Sequence, residues 1–310
     1  MSLPLVSVIL PVYNAESTIL EAINSIIEQT YPNWELLLIN DGSKDHTKEV
    51  IKRINDKRIR YIENDGNKGL IYTLNRGISL AKGEYIARMD SDDKSRPNRF
   101  EKQVSFLDSH KEVIVCGSFI EIFGDNINKT VREFKQSNED IKQFYLLKTP
   151  FAHPAVMIRR SILLNNNICY DFSFKCAEDY KLWFDLMDYG EYYNIPEVLL
   201  DYRISVTQCT QPTNTTMINS LKKCRLLYVK KILGQEDAKS FKHNVITKNL
   251  LARIYRIRNV CILEAAYLSM KPFSYGLLFH LFTSGDYRKF TCRQIGAILK
   301  RFIGKQVDLF

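Results

Sequence analysis

"VSVILPVYNAESTILEAINSIIEQTYPNWELLLIND" (residues 6–41) decides the fold. It opens with "VSVILPV" (6–12), a short run rich in β-branched residues. "AESTILEAINSIIEQT" follows, with Ile19, Ala22, Ile23, Ile26 and Ile27 at helical spacing, and "WELLLIND" (34–41) is a second apolar run. A continuous apolar run reads as a strand buried on both faces, and the 3.6-residue spacing reads as a helix packed by one face. Strand, helix, strand in about 35 residues is a βαβ unit, so the two strands should lie parallel.

The rhythm continues downstream. "DHTKEVIKRI" (45–54), "GLIYTLNRGISLAKG" (69–83) and "PNRFEKQVSFLDSH" (97–110) read as helices. "RIRYIEN" (58–64), "EYIARMD" (84–90) and "EVIVCGSFIEIF" (112–123) read as strands. Beyond residue 138 the expectation is a helix "NEDIKQFYLLKTP", a short strand "HPAVMIRRSILL" (153–164), a helix "AEDYKLWFDLMDYG" (177–190) and a last strand "EVLLDYRIS" (197–205). The fold class is therefore α/β, a Rossmann-like, mostly parallel sheet flanked by helices. Two parts are expected: a domain over 1–215 and a basic helical C-terminal region over 216–310.

Charge supports that division. The chain has 310 residues with 44 Lys/Arg and 35 Asp/Glu; residues 221–310 hold 18 and 5 of these, leaving 26 and 30 for the rest. The C-terminal part is thus strongly basic and the first part mildly acidic, which suits a tail facing an anionic surface. Its helices, such as "SLKKCRLLYVKKIL", put apolar and cationic residues on opposite faces, the pattern of a membrane-surface helix, a partner surface or a solvated appendix. Nucleic acid is disfavoured, because basic residues alone form no recognised reading module. Seven cysteines without a C-x-x-C pair fit a reducing compartment. No secretory leader and no uncharged run long enough to span a bilayer are evident, so a cytoplasmic location is expected.

Open sheets of this kind bind ligands beyond the carboxyl ends of their strands. Pro11, Tyr13 and Asn14 belong to the end of the first strand, Asn40, Asp41 and Gly42 to the second, and Asp90, Ser91, Asp92 and Asp93 to the fourth. All should gather on one edge. "PVYNAEST" has no glycine, so the dinucleotide fingerprint G-x-G-x-x-G is missing, as is a P-loop. Capping the helix signalled by Ser95 and Pro97 needs one acid, not three. Crowded carboxylates raise one another's pKa unless a cation neutralises them, and hard oxygen donors suit Mg²⁺ or Mn²⁺. Such ions complete their shell with substrate phosphates, which favours a diphosphate ligand. Asp41 is a candidate acceptor for a nucleobase N–H, with Tyr13 as a stacking surface.

Glu178 and Asp179 start a helix, where the macrodipole favours acids. The apolar stretch after them (Tyr180, Leu182, Trp183, Leu186) would anchor the pair rigidly, as a general base requires. His153 and Arg203 are weaker candidates for an acceptor or diphosphate contact; Arg203 could equally pair with Asp201.

These segments together resemble the family 2 glycosyltransferases of bacterial surface polysaccharide synthesis, which have the GT-A nucleotide-sugar-binding fold. The resemblance covers roughly residues 5–205. It implies that Pro11, Tyr13, Asn14 and Asp41 border the nucleoside of a UDP-sugar, with Lys68 approaching the nucleotide. It makes Asp90 and Asp92 the D-x-D pair, Asp92 the direct metal ligand, Asp93 a neighbour, and Asp179 the base with Glu178 beside it. The implied reaction is inverting, metal-dependent sugar transfer to a lipid-linked saccharide, carried out at the inner face of the cell membrane. Two positions depart from the pattern: Ser205 stands where relatives often have a histidine that serves the metal, and Leu74 precedes Asn75 where many carry an arginine. A nucleotidyltransferase and a non-catalytic carbohydrate-binding protein are the alternatives; retention of both acidic motifs favours transfer.

Overall fold

In the computed structural model, residues 3–125, 127–145, 149–204 and 214–234 are described. The chain divides into two compact units, one of residues 1–142 and 149–224, the other of residues 143–148 and 225–310. Along the chain, the elements run β1 (Val6–Val12), α1 (Ile19–Ile27), β2 (Trp34–Asn40), α2 (Thr47–Lys52), β3 (Ile59–Glu63), α3 (Leu70–Leu80), β4 (Tyr85–Arg88), β5 (Lys94–Ser95), α4 (Arg99–Ser109) and β6 (Val113–Phe123). They continue with β7 (Thr130–Arg132), α5 (Asn138–Phe144), a 3-10 turn at His153–Ala155, β8 (Met157–Arg159), α6 (Arg160–Asn165), α7 (Glu178–Leu186), β9 (Glu191–Arg203) and α8 (Thr215–Leu233). The second unit is described only over Gln143–Tyr145 and the end of α8, where Tyr145 and Tyr228 bring their rings to 4.9 Å.

One sheet carries the first unit, in the order β3-β2-β1-β4-β8-β6-β9-β5, with β7 paired to β6. The four strands β3, β2, β1 and β4 are mutually parallel, as the βαβ reading requires. Farther along, β8 runs antiparallel to both β4 and β6, and β6 is again parallel to β9. Every residue of β1 and β2 is buried, which is why both read as unbroken apolar runs. Of the polar exceptions, Ser7 and Glu35 satisfy one another: Ser7 Oγ donates to Glu35 Oε1 at 2.6 Å, and the same carboxylate oxygen accepts the Lys82 N–H at 2.9 Å.

Pro11 sits inside β1. The Val12 carbonyl accepts from Asp41 on the β2 side and the Ile9 carbonyl from Met89 on the β4 side, so Pro11 faces β4, which has already ended. A residue with no N–H fits there without breaking a ladder. α3 lies close on β1 at Gly77, where an added Cβ would stand 2.5 Å from Ile9 Cγ2.

Several boundaries differ from the sequence reading. Residues 153–164 form a turn, three strand residues and a helix rather than one strand. Arg160 donates its N–H to Glu84 O at the edge of the β4–β8 pairing, and there the chain leaves the sheet. Ser95 and Pro97 do not start α4: Ser95 pairs with Leu200 in β5, the Pro97 carbonyl accepts from Thr30, and Asn98 holds the cap position without a side-chain bond. β9 begins at Glu191, before the expected 197, and passes Pro196 at a shift in register against β6, where a ladder donor is dispensable. The short strands β5 and β7 carry too few residues to show a period.

α4 is tied to the sheet by polar groups in a dry setting. Gln103, fully buried, donates to the carbonyls of Cys116 (3.0 Å) and Ala155 (2.8 Å) and accepts from Arg99 Nε (3.0 Å). Arg99 in turn donates to the carbonyls of Arg88 and Val156. A Gln103→Leu substitution strands all three partners, so we expect a loss on the order of 3 kcal/mol in urea unfolding with an unchanged m value.

Candidate active site

Because β2, β1 and β4 are parallel neighbours, their carboxyl ends open on one edge of the sheet, and the predicted residues of all three gather there. Asp41, just past β2, is 4% exposed. Its Oδ1 accepts the Lys68 N–H (2.9 Å) and Asn64 Nδ2 (2.6 Å), and its Oδ2 accepts the Gly69 N–H (2.8 Å). The carboxylate thus binds the amino end of α3, and three of its roughly four acceptor positions are filled. Gly42 is obligatory at this point: its φ is +73° and a Cβ would meet the Gly66 carbonyl carbon at 2.7 Å. Asn14 also has a positive φ, 47°, and its Oδ1 accepts the Lys44 N–H at 2.9 Å. Tyr13 and Lys68 are exposed at the same edge.

The acid cluster follows β4 directly. Asp90, partly buried, is ion-paired with Arg88, whose side chain lies in the interior. Asp93 is 1% exposed; one oxygen accepts the Arg203 N–H at 2.7 Å, while Oδ2 has no partner. One ligand oxygen from each of Asp90, Asp92 and Asp93 lies within 4.8 Å of the others. Burial, reinforced by the Asp90 charge, pushes the Asp92 carboxyl up to about 6. Burial together with the charges of Asp90 and Asp92 pushes Asp93 well above the carboxylate range. A buried oxygen without a donor, among hard oxygen ligands that resist ionisation together, fits a divalent cation.

Arg203 holds the cluster in place and departs from expectation in its partners. Its Nε donates to the Asp92 carbonyl (2.8 Å) and its Nη2 to Glu21 (2.6 Å), while Asp201 is taken by Arg96. Ser205 lies outside the described residues. Leu74 is in the core, 1% exposed.

Glu178 and Asp179 form the first turn of α7, which Tyr180, Leu182, Trp183 and Leu186 bury as their spacing predicts. Asp179 Oδ1 accepts the Tyr180 N–H at 2.7 Å, and burial raises its pKa. Burial and the Asp179 charge lift Glu178 to about 7. The loop before α7 is pinned at Tyr170: its N–H donates to Asn75 Oδ1 and its carbonyl accepts from Asn75 Nδ2, both at 2.9 Å. The Tyr170 hydroxyl meets His153 Nε2 at 2.7 Å. His153 is buried and held neutral by that burial and by the Arg88 charge. Arg88, Tyr170 and Asn75 were not singled out from sequence; the one signal was a basic residue inside the buried run "YIARM".

The architecture is that of a GT-A glycosyltransferase. Residues 7–166 match the family described as Glycosyl transferase family 2. An uncharacterized glycosyltransferase of Haemophilus influenzae is 33% identical over 321 residues, covering 97% of each chain. The chain therefore belongs to glycosyl transferase family 2. The UDP-Glc:alpha-D-GlcNAc-diphosphoundecaprenol beta-1,3-glucosyltransferase WfgD of Escherichia coli is 36% identical over 183 residues, 59% of this chain and 70% of that one. Among solved structures, S. aureus TarS 1–349 in complex with UDP-GlcNAc shares the fold, with a TM-score of 0.59 at 20% identity over 81% of this chain and 72% of that chain.

The Glu178 shift carries a consequence for stability. A carboxyl raised from 4.5 to about 7 stabilises the fold while protonated, and that contribution is lost as pH rises through about 7. In EDTA, the Tm of the wild type should therefore fall between about pH 5 and pH 8, and Glu178→Gln should flatten the slope and melt higher at pH 8.

Proposed function

We propose that this glycosyltransferase transfers a sugar from a UDP-sugar to a hydroxyl of a lipid-linked saccharide, with inversion and with a divalent cation, in the synthesis of a bacterial surface polysaccharide. The observation that carries the reading is the acid cluster with its unpartnered buried Asp93 oxygen. Asp92 and Asp93, with Asp90 adjacent, would hold Mn²⁺ or Mg²⁺. A bound cation supplies Lewis acidity to the departing diphosphate.

The chain's own residues do the rest. Asp41 offers its remaining acceptor position to a nucleobase N–H, Tyr13 offers a ring face, and Pro11 and Asn14 shape the adjacent loop. Lys68, on the loop that Asp41 anchors, approaches the nucleotide. Asp179 takes the proton of the acceptor hydroxyl as that oxygen attacks the anomeric carbon from the side opposite the leaving group. Burial raises its pKa, and a more basic carboxylate takes the proton more readily. Glu178, held near 7, supplies a second proton-exchanging group. One displacement inverts the anomeric centre, so an α-linked donor gives a β-glycoside. His153 and Arg203 act behind the site, through Tyr170 and the Asp92 backbone respectively.

WfgD, named for a UDP-glucose donor and a diphosphoundecaprenol-linked acceptor, supports a lipid-linked acceptor. The UDP-GlcNAc bound by TarS supports a UDP-sugar donor. Among the described residues no helix is long and apolar enough to cross a membrane. The basic excess of residues 221–310 supports peripheral attachment to the anionic inner face of the cell membrane; most of that region lies outside the described residues.

Screening UDP-, GDP- and dTDP-sugars for turnover with Mn²⁺ should select a UDP-sugar, and EDTA should abolish the reaction. Asp179→Asn should lower kcat by about 10² or more with little change in donor affinity by calorimetry. Asp92→Ala should lose Mn²⁺-dependent UDP binding; full activity in that variant overturns the metal role.

A further inference from the structure

Arg88 has no role in the reaction as described so far, yet its position is expensive. It ends β4, whose four residues are all buried, and is itself 4% exposed. Strand alternation puts Tyr85 and Ala87 on one face of the sheet and Ile86 and Arg88 on the other. A guanidinium removed from water costs several kcal/mol unless a counter-charge accompanies it. Its backbone is committed to structure: the N–H donates to Val156 O at 3.1 Å, and the carbonyl accepts from Arg99 Nη2 at 2.9 Å. Its side chain is committed to Asp90 through Nη1, while Nε has no partner.

The Arg88 charge acts on two acidic groups that arrive from different elements. It offsets the upward shifts of Asp92 and Asp93 in the loop after β4, and those of Glu178 and Asp179 in the first turn of α7. Other cations near the loop are engaged elsewhere. Arg203 reaches the Asp92 carbonyl and Glu21, Lys94 pairs with Glu21, and Arg99 bonds to Gln103 and to backbone carbonyls. Among the described residues, Arg88 is therefore the cation whose side chain meets a cluster carboxylate directly. An always-charged group in that place competes with any other cation for one acid.

We propose that Arg88 is a positioning residue: by holding Asp90 in an ion pair from the interior side, it leaves Asp92 and Asp93 as the carboxylates open to a divalent cation and makes capture of that cation dependent on the donor's diphosphate. Two carboxylates are a sparse shell for Mn²⁺ or Mg²⁺, and diphosphate oxygens complete it. The enzyme then loads metal and donor together. This rests on the metal and donor readings given under the proposed function.

The test is Mn²⁺ binding to the full chain at about pH 8, above the carboxylate range, followed by the electron paramagnetic resonance of free Mn²⁺ with and without UDP. Folding of each variant is checked by circular dichroism. In the wild type, UDP should tighten Mn²⁺ by about tenfold or more. Arg88→Met should bind Mn²⁺ alone about tenfold more tightly than wild type, with a smaller UDP effect, because Asp90 is released. Arg88→Lys should behave as wild type, and Arg88→Met with Asp90→Asn should lose the tightening. A folded Arg88→Met that binds Mn²⁺ alone no better than wild type overturns the proposal, as does a double variant that keeps the tightening. Should Arg88→Met fail to fold, Asp90→Asn decides: Mn²⁺ affinity within about threefold of wild type upholds the proposal, and a loss of about tenfold makes Asp90 a ligand and overturns it. Wild type that takes up no Mn²⁺ even with UDP overturns the metal reading itself, an outcome distinct from the others.

Discussion

Parallel pairing of β1 between β2 and β4 is the constraint on which the rest of the molecule depends. Strands that run the same way end on the same edge, and here those ends carry Tyr13 and Asn14, Asp41, and the acid cluster from Asp90 to Asp93. The helices between them cover β1, β2 and β4, whose residues are all buried, so their strand ends are where polar chemistry can stand. Nothing about the acids themselves would bring Asp41 near Asp90, which lies 49 residues farther along the chain. Backbone hydrogen bonding between buried strands does so.

The second half of the sheet solves a different problem. Carboxylates packed at one edge repel each other and lose hydration, as the raised values of Asp92, Asp93, Glu178 and Asp179 record. Strand β9 answers from across the sheet: Arg203 gives its backbone N–H to Asp93 and its guanidinium to the Asp92 carbonyl. Arg88 answers from below, against Asp90. What these contacts leave over is one bare Asp93 oxygen and an incompletely neutralised cluster, a state that a divalent cation with a diphosphate would relieve.

Period and composition made the first four strands and the helices among them readable, since burial on both faces produces apolar runs and burial on one face produces helical spacing. The anchoring of α7 by Tyr180, Leu182, Trp183 and Leu186 was readable for the same reason. Partners were not. Asp201 looked like the natural mate of Arg203, two residues away and on the same face of β9, but pairing of β9 with β5 brought Arg96 to Asp201. Ser95 and Pro97 looked like helix-start signals because capping is a local preference, and sheet pairing outcompeted it.

By itself the sequence determined an α/β chain with acids at strand ends, a rigid Glu178–Asp179 pair and a basic C-terminal third, because hydrophobic period, turn chemistry and charge are local properties of a chain. Tertiary structure alone decided that Asp41 gives two of its acceptor positions to the amino end of α3, that Asn75 pins Tyr170 ahead of the Glu178–Asp179 pair, and that a buried Arg88 takes Asp90. Each is a contact between residues far apart in sequence or hidden inside an apolar run. Their energies come from burial, and burial is a property of the packed molecule.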